Sequence, residues 1–142
     1  MTPTLRTDRL LIRGFVPGDA ARVQALAGRC IIVMNHEQRR FPPRVHFITS
    51  PGYGEGGNWR EKNGLKGGGP SRVITSLGTF AFDPATKEML LNSYHPGVTV
   101  EEIQRETGWP LKLAEDCRET PPPSRDELAA VRKYDPKRAW TS

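Results

Sequence analysis

His36-Glu37 follows an apolar run, Cys30 to Met34, and the strand ends of α/β sheets often carry groups that face a ligand. The pair either borders a site or uses its hydrogen bonds to pin the loop that follows. Arg39 and Arg40, with Arg44 nearby, offer planar forks suited to bidentate phosphate contact, against the plainer role of solvated or subunit-facing charges. Gly67-Gly68-Gly69 permits close backbone approach, yet that spacing alone is a weak phosphate signal. His95 stands before Pro96-Gly97, where a turn is the expected role. The three histidines are scattered, with no paired carboxylate or cysteine cluster, so no metal site is expected. Cys30 and Cys117 lack metal-ligand spacing and read as free thiols. Trp59, Trp109 and Trp140 sit in unrelated contexts without interleaved basic residues, which argues against a nucleic-acid platform. No residue is assigned a catalytic role on this basis, and the substrate-binding residues are unknown.

These groups must be positioned by a chain of 142 residues, which fits one domain able to bury roughly two thirds of its unfolded surface. Apolar residues make up 36%, and the 14 glycines and 13 prolines point to long loops, so a loop-rich fold is expected. The formal charge of +5 is uneven: residues 1–29 hold Arg6, Arg9, Arg13, Arg22 and Arg29 against Asp8 and Asp19. A solvated basic face accounts for it, since net charge bears on solubility and non-specific attraction. No run approaches the ~18–20 apolar residues that span a bilayer, and Met1 to Leu5 lacks the apolar run of a signal peptide. A cytoplasmic protein without membrane contact is expected.

Along the chain, Arg9–Arg13 reads as a short strand, residues 14–18 as a turn, and residues 20–27 as a helix capped by Asp19 and closed by Gly28. Cys30–Met34 is apolar at every residue, as in a strand covered on both faces, and so belongs in a sheet interior. Arg44–Thr49 restores a strand. Pro51 to Pro70 contains eight glycines and almost no apolar periodicity, which suits a binding loop. Arg72–Leu77 and Thr79–Phe82 are strand-like, and the turn chemistry of Asp83 to Lys87 leads into Met89, so residues 79–94 form a hairpin. Capping boxes at Thr99 to Glu102 and Ser124 to Glu127 start two helices. Gly108 should stop the first, and the second should pack Leu128 and Val131 before ending near Asp135-Pro136. The fold class is therefore α/β: a truncated layered sheet with a β-hairpin and short flanking helices.

Several stretches line up in one order: Leu26-Ala27-Gly28-Arg29, Ile31 to Glu37, Arg39-Arg40-Phe41, Phe47 to Tyr53, Gly67 to Ser71, Val73-Ile74-Thr75, Leu77-Gly78 and Phe80 to Asp83. His95 to Glu102, Thr107-Gly108-Trp109 and Glu119 to Pro122 complete the set. From about Ala27 to Pro136 this resembles the C-terminal part of the beta subunit of family I CoA-transferases, of the glutaconate and 3-oxoacid type. The resemblance implies an α/β layer fold, an alpha-subunit partner, and a coenzyme A thioester as substrate with no bound cofactor. It also implies a glutamate that attacks the thioester to form a glutamyl-CoA intermediate, with glycine-rich amides stabilising the oxyanion. Both parts lie upstream of the matched region, where this chain has Asp19 to Ala25 instead. Glu61-Lys62-Asn63-Gly64 imitates the glutamate-asparagine-glycine context of some family nucleophiles, but a lysine intervenes and the position is too late in the subunit. Glu61 is therefore read as an ordinary exposed loop residue, and Arg39 and Arg40 as candidate contacts for the coenzyme A phosphates.

Residues 1–26 differ. Thr4 to Arg13, followed by Phe15, Pro17, Asp19 and Ala20, is similar to the opening strand and helix of GNAT-type N-acetyltransferases. That family's pyrophosphate loop has no counterpart here. The expected organisation is a GNAT-like segment, 1–26, joined near residues 22–28 to a CoA-transferase beta-subunit-like region, 27–142. Three functions are compatible: a CoA-transferase beta-subunit fragment inactive alone, which still associates with an alpha-type partner; a non-catalytic binding or scaffold protein using the retained surface; and, least favoured, a GNAT-like remnant. An exposed apolar patch is expected in each, because Cys30–Met34 needs two covering faces.

Overall fold

The computed structural model describes residues 5–6, 11–12, 28–48, 50–65 and 67–138. Leu5–Arg6 (β1) and Leu11–Ile12 (β2) pair antiparallel, which places a strand within the stretch expected at residues 9–13. The turn at residues 14–18 and the helix at residues 20–27 lie outside the described residues.

The main sheet has five strands in sequential order: Cys30–Met34 (β3), Pro70–Thr75 (β4), Gly78–Phe82 (β5), Met89–Tyr94 (β6) and Lys112–Glu119 (β7). The β3–β4 and β6–β7 pairs are parallel, and β4–β5 and β5–β6 are antiparallel. The fold is thus α/β with a mixed sheet. The expected hairpin is present as β5 and β6, with Phe80 opposite Leu91 and Phe82 opposite Met89. Its turn forms because the Asp83 carboxylate accepts from the amides of Ala85 (2.9 Å) and Thr86 (2.6 Å), while Lys87 takes up a left-handed conformation (φ 64°).

One face of the sheet carries the core. Val73, Phe80 and Leu91 from successive strands meet Ile103 of the helix Val100–Arg105 (α2), which crosses over between β6 and β7. Phe80, Leu91 and Ile103 are fully buried. The helix starts where expected, with the Thr99 hydroxyl accepting from the Glu102 amide. Its last residue is Arg105, so Gly108 does not stop it. Gly108 instead allows close approach: its amide donates to the Phe41 carbonyl at 2.8 Å, and a Cβ would stand within 3 Å of Phe41 O and Pro43.

Several expectations are corrected. Among the described residues β3 stands at the edge of the sheet, not in its interior: Ile32 and Met34 pack on the core while Ile31 and Val33 are 49% and 75% exposed. An all-apolar run does not distinguish a doubly covered strand from an edge strand with one bare face. Residues 44–48 form no strand, and Val45, Phe47 and Ile48 are exposed because no described neighbour pairs with that run. The glycine-rich segment is not structureless. It contains the one-turn helix Trp59–Lys62 (α1), and Gly54 lies so close to the Trp59 ring that a side chain there would collide with it. The C-terminal helix Arg125–Tyr134 (α3) has its full Ser124/Glu127 capping box and ends at Asp135, but it packs no core. Leu128 and Val131 stay 36% and 41% exposed.

Candidate functional site

The directions of the strands gather one set of polar residues. β3, β4, β6 and β7 all run the same way, so their carboxyl ends meet at one edge of the sheet. Just beyond those ends stand His36, Ser76, His95 and Thr120, with Thr75 closing β4. In open sheets this carboxyl edge is where ligands are commonly held.

His36 is buried, with Nδ1 3.2 Å from Thr75 Oγ1 and Nε2 3.1 Å from Thr107 Oγ1, and its amide donates to Ser76 Oγ at 3.0 Å. The Thr107 hydroxyl donates to the Ile103 carbonyl at 2.7 Å, so toward His36 it accepts, and the network assigns the ring proton to Nε2. Thr75 Oγ1 accepts from the amides of Leu77 and Gly78, so its own proton is shared between the Gly78 carbonyl at 2.9 Å and His36 Nδ1. A neutral imidazole fits every partner. An imidazolium would aim a second N–H at a hydroxyl whose lone pairs are taken. Burial accordingly lowers the His36 pKa from its ordinary value, against a smaller upward pull from the Glu106 carboxylate.

His95 continues the network. Its Nε2 donates to the Thr75 carbonyl at 2.9 Å, and its Nδ1 lies 3.2 Å from Thr120 Oγ1. Thr120 reaches Ser93 Oγ at 2.9 Å, which in turn lies 2.7 Å from Thr79 Oγ1. His36 and His95 thus hold hydroxyl and carbonyl groups of other elements, joining the end of β4 to the ends of its neighbours. Thr75, the shared partner, and Thr107 and Thr120 stand in the family-like blocks but gave no sign of their role at this edge, since a threonine's partners are unknown until the fold is.

The remaining candidates are dispersed. Glu37 holds both neighbouring guanidinium groups, Arg39 through Nε and Arg40 at 3.3 Å, and the Arg39 hydrogen bond is the main reason its carboxyl titrates below the usual range. The Arg39 and Arg40 side chains are 73% and 40% exposed. That is the solvated pairing, worth little on its own, and Arg44 is exposed apart from it. Glu61 is exposed on α1. Cys30 and Cys117 are free thiols, and burial raises the Cys117 pKa, with the Asp116 carboxylate adding to the effect. Trp59 packs under Gly54, and Trp109 lies 6.0 Å from Phe41. Among the described residues no three His, Cys, Asp or Glu side chains converge to hold a metal ion. A residue missed by sequence reasoning is Arg60, buried inside the glycine-rich loop, where it donates to the carbonyls of Gly52 and Gly67.

A model of the family described as coenzyme A transferase matches residues 16–106. The chain belongs to the coenzyme A transferase family. It is 37% identical over 122 residues to the B-type subunit of 3-oxoadipate CoA-transferase from Pseudomonas knackmussii, covering 86% of this chain and 47% of that protein. It is also 37% identical over 112 residues to the B-type subunit of glutaconate CoA-transferase from Acidaminococcus fermentans, covering 78% of this chain and 42% of that one. The crystal structure of the A. fermentans glutaconate coenzyme A-transferase superposes with a TM-score of 0.75 at 34% identity, over 92% of this chain and 50% of that chain. This member of the family spans about half the length of the curated relatives it matches. The match begins at residue 16, inside the segment with the acetyltransferase resemblance, and that resemblance finds no support in these comparisons. Among the described residues no helix is long and apolar enough to cross a membrane.

Proposed function

We propose that this chain is the C-terminal, transferase-like half of a CoA-transferase beta subunit, inactive by itself, that acts on an acyl-CoA and a carboxylate only when joined to the half carrying the nucleophile and to an alpha-type partner. The observation that carries the reading is the combination of 37% identity with coverage of about half of each relative, both of which are B-type subunits of CoA-transferases. The surface supports it. Among the described residues β3 stands at the sheet edge with Ile31 and Val33 bare, and Val45, Phe47 and Ile48 are exposed close behind it in sequence, as expected where further chain or a partner covers the sheet.

The described residues offer no activated nucleophile to replace the family glutamate. His36 and His95 are satisfied by hydroxyl and carbonyl groups, and Glu61 remains an exposed loop carboxylate. The role of this half is therefore to build the carboxyl edge of the sheet and present the surface that the rest of the enzyme needs. The free cysteines suit a reducing, cytoplasmic setting.

Co-purification tests the reading against a non-catalytic scaffold. The chain, co-expressed with an N-terminal beta-subunit half and the alpha subunit of a 3-oxoadipate CoA-transferase, should elute with them as one assembly. Elution by itself would contradict the proposal.

A further inference from the structure

We infer that the outer side of β3 is a pairing site for one β-strand, supplied by the half of the beta subunit that this chain lacks; the inference rests on the function proposed above and names the contact through which the two halves join.

The two ends of the sheet differ in kind. Among the described residues β3 and β7 are its outermost strands. β7 carries Lys112, Glu115, Asp116, Arg118 and Glu119, and charges of this density blunt an exposed edge against pairing with another strand. β3 reads Cys-Ile-Ile-Val-Met, with neither charge nor proline. The one irregularity in its register falls at Cys30/Ile31, where the extra residue, Ser71, belongs to β4, so the outer side is not bulged away.

The backbone shows which groups are free to pair. The amide of Cys30 donates to the Gly69 carbonyl at 3.1 Å, and that of His36, two residues past the strand, donates to Ser76 Oγ at 3.0 Å. Peptide groups alternate in direction along a strand, so residues 30, 32 and 34 serve β4 while the N–H and C=O groups of Ile31 and Val33 point out of the sheet. The side chains of the same two residues lie on the bare face, where Val33 stands beside the half-buried Ile74 of β4. An added strand would pair those peptide groups, and the chain leading to it would cover that face, as a parallel pair such as β3–β4 normally requires.

Length identifies the occupant. The match takes in 47% and 42% of the two B-type subunits, so more than half of each lies outside it. A second copy of this chain fits less well. Two five-residue strands meeting at their edges bury far less than the roughly 1,200 Å² of a specific interface, whereas a strand from the same subunit is held by the rest of its own half.

The experiment is hydrogen exchange at the Ile31 and Val33 amides, measured by NMR on the chain at low and high concentration, on the chain with a CoA-transferase alpha subunit, and on the chain co-expressed with the N-terminal half of the Pseudomonas knackmussii B-type subunit. Exchange should be fast in the first three samples and slow by roughly tenfold or more in the fourth. Val33→Pro removes one outward N–H and no bond to β4; it should keep the circular dichroism of the chain and lose the N-terminal half, while Val33→Thr, which keeps the amide, should retain it. If the proline variant fails to fold, exchange in the unaltered chain still decides. Slowing that needs only a higher chain concentration or the alpha subunit would overturn the assignment. Co-elution with the N-terminal half while both amides still exchange fast would overturn this pairing and leave the proposed function standing, whereas failure to co-elute would overturn both.

Discussion

The imidazole of His36 lies flat against the ring of Phe41, with centroids 4.1 Å apart and planes 5° from parallel. Phe41 in turn sits 6.2 Å from Phe80, the fully buried centre of the core, so the polar edge and the apolar face of the sheet share one packed cluster. Charging His36 is therefore disfavoured twice, by burial and by the occupied lone pairs of Thr75.

A pH dependence follows with a definite sign. The folded-state pKa of His36 is lowered, so between that value and the unfolded value near 6.5 the unfolded chain binds more protons. Stability should be complete above about pH 6.5 and decline as the pH falls below it. The depressed carboxyls of Glu37, Asp83 and Glu127 lose their contributions only at lower pH, below the ordinary carboxylate value. Urea melts from pH 7.5 to 5 should show the decline. A flat profile across that range would count against a neutral, buried His36.

Thr75→Val should be costly for its size. The hydroxyl serves the amides of Leu77 and Gly78 and the Nδ1 of His36, and its loss leaves buried groups unpaired, at about 1–3 kcal/mol. Thr75→Ser, which keeps the oxygen, should recover most of that. Equal losses in chemical denaturation of the two variants would mean that packing, not the hydroxyl, matters at this position.

Lys87→Gly should stabilise the hairpin turn. A non-glycine residue at φ 64° carries a penalty of about 1–2 kcal/mol, partly offset by the extra chain freedom of glycine, leaving a net gain of up to about 1 kcal/mol. A higher melting temperature for the variant is the expected result. A fall of several degrees would show that the Lys87 side chain contributes more than its backbone costs.

Val33→Lys tests the bare edge. With 75% of the residue exposed, the change should leave folding stability within about 0.5 kcal/mol while reducing hydrophobic-dye binding and self-association. Unchanged dye binding and an unchanged elution volume would show that the apolar surface lies elsewhere.

The parts of this fold legible in the sequence were those set by local chemistry: the Asp83 turn, the caps at Thr99 and Ser124, and the β-prone runs on either side of Gly78. What depended on distant partners was not. β7 was unanticipated because Lys112 to Glu119 is mostly charged and lacks apolar alternation, and only parallel pairing with β6 makes it a strand. The same charges suit it to an exposed edge. β3 was recognised as a strand, but among the described residues it lies at the sheet edge and not in the interior, since composition reports apolarity and not which faces are covered. At the candidate site His36 and His95 could be picked out by type, but the threonines that fix them come from 20 to 71 residues away along the chain.

The most direct test is an acyl-transfer assay on the purified chain, alone and then with the complementary beta-subunit half and alpha subunit, using succinyl-CoA and a panel of carboxylate acceptors. Transfer needs a glutamate nucleophile and amide donors aimed at the developing oxyanion, so the chain alone should give no exchange above background and borohydride should trap no glutamyl thioester. The reconstituted mixture should turn over. Turnover by the chain alone, lost in Glu61→Ala, would contradict the account, because it would make that loop carboxylate the nucleophile.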